Sequence, residues 1–384
     1  MRTSHIHSRG FGLVEVLVAM VIALLGTIII FQVFAASEGI RRTSTSGGDA
    51  QQFGAIALFT LERDVRVAGY GINATALLGC SVRAYDEFAT PPDLPNFTLA
   101  PMQMTAGADD KTPDQITLMH GDSDLISTPP KIIQNMPSPA ATYKVNNRYG
   151  FVAGDLVIAA EPGLDCTLAQ ATGLPGGGNS DNVIHNSGDY TDANGVSVVA
   201  RWNKPSGLGV SYSTNGWLYN LGAGPTRNTY RVCQTDGTPQ CPLGTQNQLL
   251  MDSMFTTNTT LALADNIVHL KVQYGKDDGV NNGTVTNATY VAGDGAVDGY
   301  SNTMPVTPTA TDWARILTVR MAVVARSAQP EKPNVEGGAC DTTTAAPTWS
   351  GGTLDLSTDV NWKCYRYRVF ETTVPMRNLL WQQT

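Results

Sequence analysis

The densest group of residues that could do chemistry is the segment His120-Gly121-Asp122-Ser123-Asp124. Histidine, aspartate and serine form the hydrolase triad, in which histidine activates a serine hydroxyl and a carboxylate orients the histidine. Triads assemble from distant parts of a fold, whereas Gly-Asp-Ser after a predicted strand is an ordinary turn. The sequence also has no phosphate-binding loop, nucleophile elbow or HExxH motif. We therefore predict that the protein is not an enzyme.

A second group of oxygen-bearing side chains lies between two predicted strands. It consists of Asp277, Asp278, Asn281, Asp294 and Asp298. Ca²⁺ is bound by about six to eight oxygens from carboxylates, amides and backbone carbonyls, and such loops supply them. The EF-hand register is broken, because no glutamate stands at the twelfth position. A solvated turn-rich loop is therefore favoured, with a weak calcium site as the alternative and no other cofactor expected.

The six cysteines can all form disulfides if the chain is exported. Six cysteines allow many connectivities, so the sequence favours one set without proving it. One pair would close a short hairpin, a second would tie down a Thr/Ala/Gly-rich loop, and the remaining two cysteines would form the third. This set is Cys80–Cys166, Cys233–Cys241 and Cys340–Cys364. A zinc site is less favoured, because there is no CxxC pair.

The elements that position these groups begin with one long apolar segment. Arg2 and Arg9 form a basic flank, one carboxylate follows at Glu15, and residues 16–37 carry no charge. At about 1.5 Å of rise per residue, this run can cross the hydrocarbon core of a bilayer as a helix. The basic flank predicts a cytoplasmic amino terminus and an exported remainder.

Glu15 needs an explanation, because a carboxylate at the edge of a membrane span is costly. One explanation is that it lies at headgroup depth, where the helix dipole favours an acid. Another is a role in assembly. An ordinary secretory signal cleaved near Ala35-Ala36-Ser37 is less favoured. The apolar core of such a signal is usually about 7–15 residues long, and a signal gives Glu15 no role.

Behind the apolar run, residues 38–71 predict an amphipathic helix that ends at Gly69-Tyr70-Gly71. Gly47-Gly48 interrupts the pattern, and each glycine costs about 1 kcal/mol in a helix. We therefore expect a break or bend there. The chain is acidic, with a net charge of −8, which argues against direct nucleic-acid binding, since that needs a basic face.

Residues 72–384 show short apolar runs between turn clusters, which predicts a mostly antiparallel β head. The predicted fold class is α+β, with a long amino-terminal helix packed on this head. Residues 226–228 are among the predicted loops. The predicted strands are 115–120, 142–145, 155–160, 166–172, 196–202, 209–212, 216–220, 229–233, 248–251, 267–274, 314–327 and 365–374.

The two ends of the chain resemble the PilW family of type IV minor pilins. Gly10-Phe11-Gly12-Leu13-Val14-Glu15, followed by the apolar run, looks like a class III prepilin leader. Four further segments resemble PilW segments: FTLERDVRVAGYG at 59–71, LALADNIVHLKVQYG at 261–275, VRMAVVARS at 319–327 and RVFETTVPMRN at 368–378. The middle of the chain, about residues 80–250, matches only loosely.

The resemblance implies that a prepilin peptidase cuts after Gly10, which removes residues 1–10, and that Phe11 becomes the N-methylated amino terminus. Residues 11–37 would then be the transmembrane and assembly helix, with Glu15 facing the terminal amine of a neighbouring subunit. A single-pass inner-membrane protein with a periplasmic head is implied, which later joins the pilus fibre. Other minor pilins and the major pilin are the implied partners. Twitching motility and cell adhesion would follow from the pilus.

Two other functions stay open at this point. A minor pseudopilin of type II secretion has the same leader, so the amino terminus does not separate the two. A tip adhesin or ligand-binding module would need an exposed recognition surface. Four aromatic residues near Gly/Asn loops are candidates for that surface, although ordinary sheet packing is favoured: Trp202, Tyr212, Trp217 and Tyr219.

Overall fold

The amino-terminal helix sets the architecture of the molecule. In this computed structural model the described residues are 12–72, 78–123, 128–175, 181–234, 241, 246–256, 260–277, 295–333 and 337–380. The helices are α1 (Leu13–Val67), α2 (Ala310–Ala314) and α3 (Arg377–Leu380). A short 3₁₀ turn covers Trp362–Cys364.

Helix α1 is one continuous element of 55 residues, about 80 Å long at 1.5 Å per residue. Its first part, Leu13–Arg41, has a mean hydropathy of 2.8 and is not buried within the chain. Its second part buries Ala57, Leu61 and Val65 against the head. The helix therefore has an apolar free half and an amphipathic packed half.

The expected break at Gly47-Gly48 is wrong, because α1 continues through both residues. A Cβ at either glycine would meet no atom within 4 Å, so no close contact forces a kink there. A break would leave four N–H and four C=O groups without helical partners on its two sides. Continuing the helix avoids that loss at a cost of about 1 kcal/mol per glycine.

The head is built from twenty strands among the described residues. In chain order they are β1 (Ser81–Arg83), β2 (Phe97–Thr98), β3 (Met102–Thr105), β4 (Gln115–His120), β5 (Tyr143–Val145), β6 (Leu156–Ala160), β7 (Cys166–Gln170), β8 (Asp181–Val183), β9 (Asp189–Thr191), β10 (Ser197–Val199), β11 (Trp217–Gly222), β12 (Thr226–Cys233), β13 (Gln248–Ser253), β14 (Thr260–Asp265), β15 (Ile267–Lys276), β16 (Gly299–Ser301), β17 (Ile316–Arg326), β18 (Thr348–Trp349), β19 (Gly352–Thr353) and β20 (Tyr367–Pro375).

Three larger sheets make up the head. The first has the order β11-β6-β7-β1-β2, the second β14-β13-β12-β4-β3 and the third β16-β15-β17-β20. All neighbouring strands in them are antiparallel except β1 and β7. Three two-stranded pairs, β5-β8, β9-β10 and β18-β19, complete the described strands. The predicted α+β, pilin-like fold class is confirmed.

The main core joins α1 to all three sheets, and it includes Leu61 of α1, Ile158 of β6, Tyr230 of β12 and Val323 of β17. A second cluster covers the opposite face of the first sheet. Strand β6 serves both clusters, because alternate side chains of a strand point to opposite faces. A sheet covered on both faces explains why β6 is apolar throughout.

Residues 340–364, here named the strap, cover the outer face of the third sheet. Leu354 and Leu356 of the strap pack against Val268 of β15 and Val324 of β17. The strap carries β18, β19 and the 3₁₀ turn. The third sheet therefore has α1 on one face and the strap on the other.

Eleven of the twelve predicted strands overlap a strand of the structure, and 115–120 has the same bounds. Nine strands among the described residues were not predicted: β1, β2, β3, β8, β9, β14, β16, β18 and β19. Three of the differences have a clear physical reason. Residues 209–212 form no strand. The side chain of Tyr212 is held by a distant segment, since its hydroxyl donates to Asp165 O at 2.9 Å. Residues 226–228, predicted as a loop, begin β12 and pair with Leu118–His120 of β4. Strand β14 was not predicted, because its mostly exposed pattern gives no alternation. In these three places contacts with distant segments decide the structure, and local pattern does not.

Candidate assembly site

Glu15 lies in the first turn of α1. Its Oε2 accepts the backbone N–H of Gly12 at 3.1 Å. The first N–H groups of a helix have no helical partner, and the helix dipole favours an anion beside them. The carboxylate therefore points toward the end of the chain that cleavage after Gly10 would create. Gly10 and Phe11 lie outside the described residues, so cleavage and methylation stay predictions.

The helix behind Glu15 exposes apolar side chains all round. Ile22 and Leu24 are 64% and 63% exposed, and Phe31 is 72% exposed. Thr27 in this stretch donates its hydroxyl to Ala23 O at 2.8 Å, so its polar group is satisfied within the helix. A helix that is apolar on every side is stable only in lipid or among other apolar helices. This half of α1 is therefore long and apolar enough to cross a membrane.

The other half of α1 is held to the head by contacts that sequence reasoning missed. The ring of Phe370 in β20 lies directly against Gly54, where a Cβ would come within 2.1 Å of Cε2. About three helical turns later, the hydroxyl of Tyr230 in β12 donates to Asp64. A glycine and a carboxylate on a helix face are common, so neither residue shows from sequence that it meets a strand.

The carboxyl-terminal end of α1 is capped by distant residues. The Nδ2 of Asn378 in α3 donates to Val67 O at 3.1 Å and to Ala68 O at 3.0 Å. Gly69 donates its N–H to Met119 O at 2.8 Å. The last carbonyls of a helix lack helical partners, so these contacts satisfy groups that would otherwise be costly to bury. The helix therefore ends where the last helix and β4 meet it.

The carboxylate of Asp64 has a second partner on the helix itself. Asp64 lies 2.8 Å from Nε of Arg63 and accepts the Tyr230 hydroxyl. Burial, together with the hydrogen bond to Asp64, raises the pKa of Tyr230 above its ordinary value. The phenol therefore stays protonated and remains a donor to the carboxylate across the physiological pH range.

The structure pairs the six cysteines as Cys80–Cys166, Cys233–Cys241 and Cys340–Cys364. These are the pairs that the spacing favoured. The Cα–Cα distances are 5.9, 4.9 and 4.8 Å respectively, all within the usual range for disulfides. The first joins the beginning of the head to β7, the second closes the β12–β13 connection, and the third closes the strap.

Two of the described residues in the segment 120–123 have structural partners. Nδ1 of His120 donates to Gly121 O at 2.9 Å. The carboxylate of Asp122 accepts the N–H of Gly224 at 2.9 and 3.0 Å, which holds the connection between β11 and β12. Asp124 lies outside the described residues. His120 and Asp122 thus make contacts within and near the turn at the end of β4.

The predicted calcium loop is described only at its two ends. Asp277 Oδ2 accepts the N–H of Gly295 at 2.9 Å, which joins the two ends of the loop. Asp298 donates its N–H to Lys276 O at 2.9 Å. Asp278, Asn281 and Asp294 lie outside the described residues. Within the described ranges no group of three or more His, Cys, Asp or Glu could hold a metal, so calcium binding stays untested.

The aromatic recognition surface is not formed. Trp202, Tyr212 and Tyr219 are at most 5% exposed. Trp202 packs edge-on against Phe255 with ring centroids 5.5 Å apart, and Trp217 is half-buried. These residues pack the head, which was the favoured interpretation.

Comparison with protein families agrees with this site. The family described as "Prokaryotic N-terminal methylation motif" matches residues 6–31, and the family described as "Type IV Pilus-assembly protein W" matches residues 230–378. Together with the apolar helix and the antiparallel head, these matches are consistent with a PilW-family type IV pilin that has a class III leader. The resemblance carried by the sequence is thereby confirmed.

The two matches also cover the elements that form the site. The first spans Glu15 and the apolar start of α1, and the second spans Tyr230, Phe370 and Asn378, which hold the packed half of α1. No curated protein and no solved structure matched the chain. The matching family is one of pilus-assembly components rather than of enzymes.

Proposed function

We propose that this protein is a minor pilin that helps to initiate type IV pilus assembly. It acts in a small priming complex with other minor pilins, and that complex comes to lie at the fibre tip. The observation that carries the proposal is the position of Glu15. It is a carboxylate in the first turn of an unburied apolar helix, and its Oε2 already accepts an N–H at the amino-terminal end.

The proposed mechanism begins with processing. Prepilin peptidase removes residues 1–10, and Phe11 becomes the N-methylated amino terminus. Residues 11–37 hold the protein in the inner membrane, with a cytoplasmic amino terminus, and the head of residues 72–384 lies in the periplasm. Residues 38–71 join the two parts, and α1 runs through them to Val67 as one continuous, stiff helix. A displacement of the membrane half is therefore transmitted to the head.

Assembly then depends on charge neutralisation. A carboxylate has about four lone-pair sites, so Glu15 can accept Gly12 N–H and still bind an amine. Opposite charges attract more strongly in an apolar bundle than in water, whereas a lone buried charge is costly. The favoured register between two packed helices is thus the one that places the terminal amine of the neighbouring subunit level with Glu15. The partners are other minor pilins and the major pilin.

A Glu15→Ala variant tests this mechanism. We expect the variant to be processed and membrane-bound but to form few or no surface pili. Glu38→Ala is the matched control, because Glu38 lies on the same helix just beyond the uncharged run. Mass spectrometry of the mature amino terminus separates an assembly defect from a processing defect. Pili of normal number and length in the Glu15→Ala strain would refute the mechanism.

A minor pseudopilin of type II secretion is the second candidate, since the methylation motif is common to both systems. The match of residues 230–378 to the pilus-assembly family supports the pilus. A deletion strain separates the two candidates. Loss of surface pili with normal exoprotein secretion supports our proposal, and the reverse result supports the secretion system.

A further inference from the structure

A small cavity lies where the second and third sheets meet the strap. Its volume is about 30 Å³, and its walls include Gln234, Asn247, Val268, Leu356, Thr358 and Tyr367. Asn247 directly precedes β13, Val268 belongs to β15, and Tyr367 begins β20. The cavity therefore touches two sheets and the segment that covers one of them.

Two polar groups in these walls have no hydrogen-bond partner among the described residues. Nδ2 of Asn247 is buried without a partner, and the whole residue is only 6% exposed. The hydroxyl of Thr358 on the strap is likewise buried without a partner. Buried polar groups in proteins are almost always hydrogen-bonded, to protein or to ordered water. Two such groups in one cavity therefore point to a ligand.

The other polar groups of the walls are already engaged. The Tyr367 hydroxyl donates to Trp362 O at 2.9 Å, and Gln234 Nε2 donates to Val268 O at 3.3 Å. Asp359 is held by Arg326 Nη1 at 3.0 Å and also accepts a backbone N–H. The groups in the walls without any partner among the described residues are an amide N–H of Asn247 and the hydroxyl of Thr358. Both suit a neutral oxygen, whereas a cation would meet the amide donor.

We propose that this cavity binds one or two ordered water molecules, which bridge Asn247 to Thr358. A water site needs about 10–15 Å³ and two to four polar partners, so a cavity of about 30 Å³ has room for two. The water joins the start of β13 to the strap. The strap is then held by polar contacts here as well as by Leu354 and Leu356.

The backbone around Asn247 limits what other residues can do at this position. Asn247 has φ +57, in the left-handed region, and its own N–H and C=O are bonded to Cys233 and Ile267. Asn266 has the same conformation, φ +56, and its C=O also accepts a strand N–H, from Arg326. Asn266 is not among the cavity's lining residues. It is therefore a matched control, since glycine adopts this conformation without strain at both positions.

The first test asks whether Thr358→Val raises or lowers the Tm of the full-length protein in detergent. Thr358→Val removes the hydroxyl but keeps the shape of the side chain. If water binds the hydroxyl, Tm should fall by about 2–4 °C, as it should in Thr343→Val, whose hydroxyl donates to Tyr365 O. Thr358→Ser should retain more of the stability. If the cavity is dry, Thr358→Val removes an unsatisfied group, and an equal or higher Tm would overturn the proposal.

The second test compares the two asparagines. Asn247→Gly should lower Tm more than Asn266→Gly, because the first loses a water ligand as well as the packing of a buried side chain. A crystal structure should show ordered water at about 2.7–3.2 Å from both Asn247 Nδ2 and Thr358 Oγ1. Equal effects of the two glycine substitutions, or a cavity without ordered density at high resolution, would contradict the proposal.

Discussion

Phe370 and Gly54 are in direct contact, and the contact requires glycine. A Cβ at position 54 would lie 2.1 Å from Cε2 and 2.4 Å from Cδ2 of the Phe370 ring. The last described strand thus approaches the helix at a level where the helix has no side chain. The contact joins the assembly helix to the carboxyl-terminal strand.

We expect Gly54→Ala to destabilise the head, because overpacking of this kind costs about 1–3 kcal/mol. Gly48→Ala is the matched control on the same helix. A Cβ there meets nothing within 4 Å, so alanine should be neutral or stabilising by up to about 1 kcal/mol. Urea unfolding of the two variants measures the difference. If Gly54→Ala were as stable as Gly48→Ala, the contact would not constrain the helix.

The Tyr230–Asp64 hydrogen bond gives a second prediction. Tyr230→Phe should cost about 1.5–3 kcal/mol, since the bond goes to a charged acceptor. Asp64→Asn should lower the free energy of unfolding less in the Tyr230→Phe variant than in the parent protein. A double-mutant cycle measured by urea unfolding should therefore show coupling above about 0.5 kcal/mol. Strictly additive losses would mean that the two residues stabilise the fold independently.

Two buried histidines predict acid sensitivity. Burial is the largest cause lowering the pKa of His269, followed by the charge of Lys271, and burial lowers the pKa of His185. Each ring uses Nε2–H as a donor, to Asp110 O at 3.0 Å and to Ala141 O at 2.9 Å respectively. Both histidines are therefore neutral in the folded protein at pH values where they are protonated in the unfolded chain.

The sign of the effect follows from linkage. A histidine with a lowered folded pKa stabilises the fold above its unfolded pKa of about 6.5, and that stability is lost as pH falls toward the folded pKa. Each contributes a slope of at most about 1.4 kcal/mol per pH unit. His269→Gln and His185→Gln should each flatten the loss of stability between about pH 6.5 and 5. A double variant with the parent slope would contradict this explanation.

The three disulfides should differ in importance. They span 86, 24 and 8 positions for Cys80–Cys166, Cys340–Cys364 and Cys233–Cys241. Loop-closure entropy predicts losses of about 4.6, 3.4 and 2.5 kcal/mol when each pair is replaced by serine. Thermal unfolding of the three double-serine variants should follow that order. A reversed order would show that local packing, rather than chain entropy, decides their contribution.

The loop after β15 gives a prediction about metal. The favoured interpretation is a solvated loop whose ends are joined by Asp277 and Gly295. We therefore expect the Tm of the purified protein to be the same with calcium and with chelator. Asp277→Asn should lower Tm equally in both conditions, since its contact is with a backbone N–H. A Tm that falls on chelation would establish a calcium site instead.

Local patterns in the sequence predicted the parts of this protein that depend on local physics. An uncharged run of residues behind a basic flank favours a membrane helix, wherever the head lies. The spacing of Glu15 from Gly10, together with that run, carried the resemblance to a pilin leader. The alternating strand 115–120 also has the same bounds in the fold, because period-2 burial is visible in its residues.

Only the tertiary structure decided how the helix and the head are joined. The expected break at Gly47-Gly48 was wrong, because α1 continues through both residues. The low helix propensity of two glycines is a small cost beside the hydrogen bonds of a long helix. The contacts of Gly54 with Phe370 and of Asp64 with Tyr230 join residues more than a hundred positions apart. Nothing in the local pattern marks such pairs, because each depends on where two distant backbones meet. The sequence thus determined the apolar half of α1 and its one carboxylate, Glu15. The tertiary structure determined which residues of the head contact the other half of the helix.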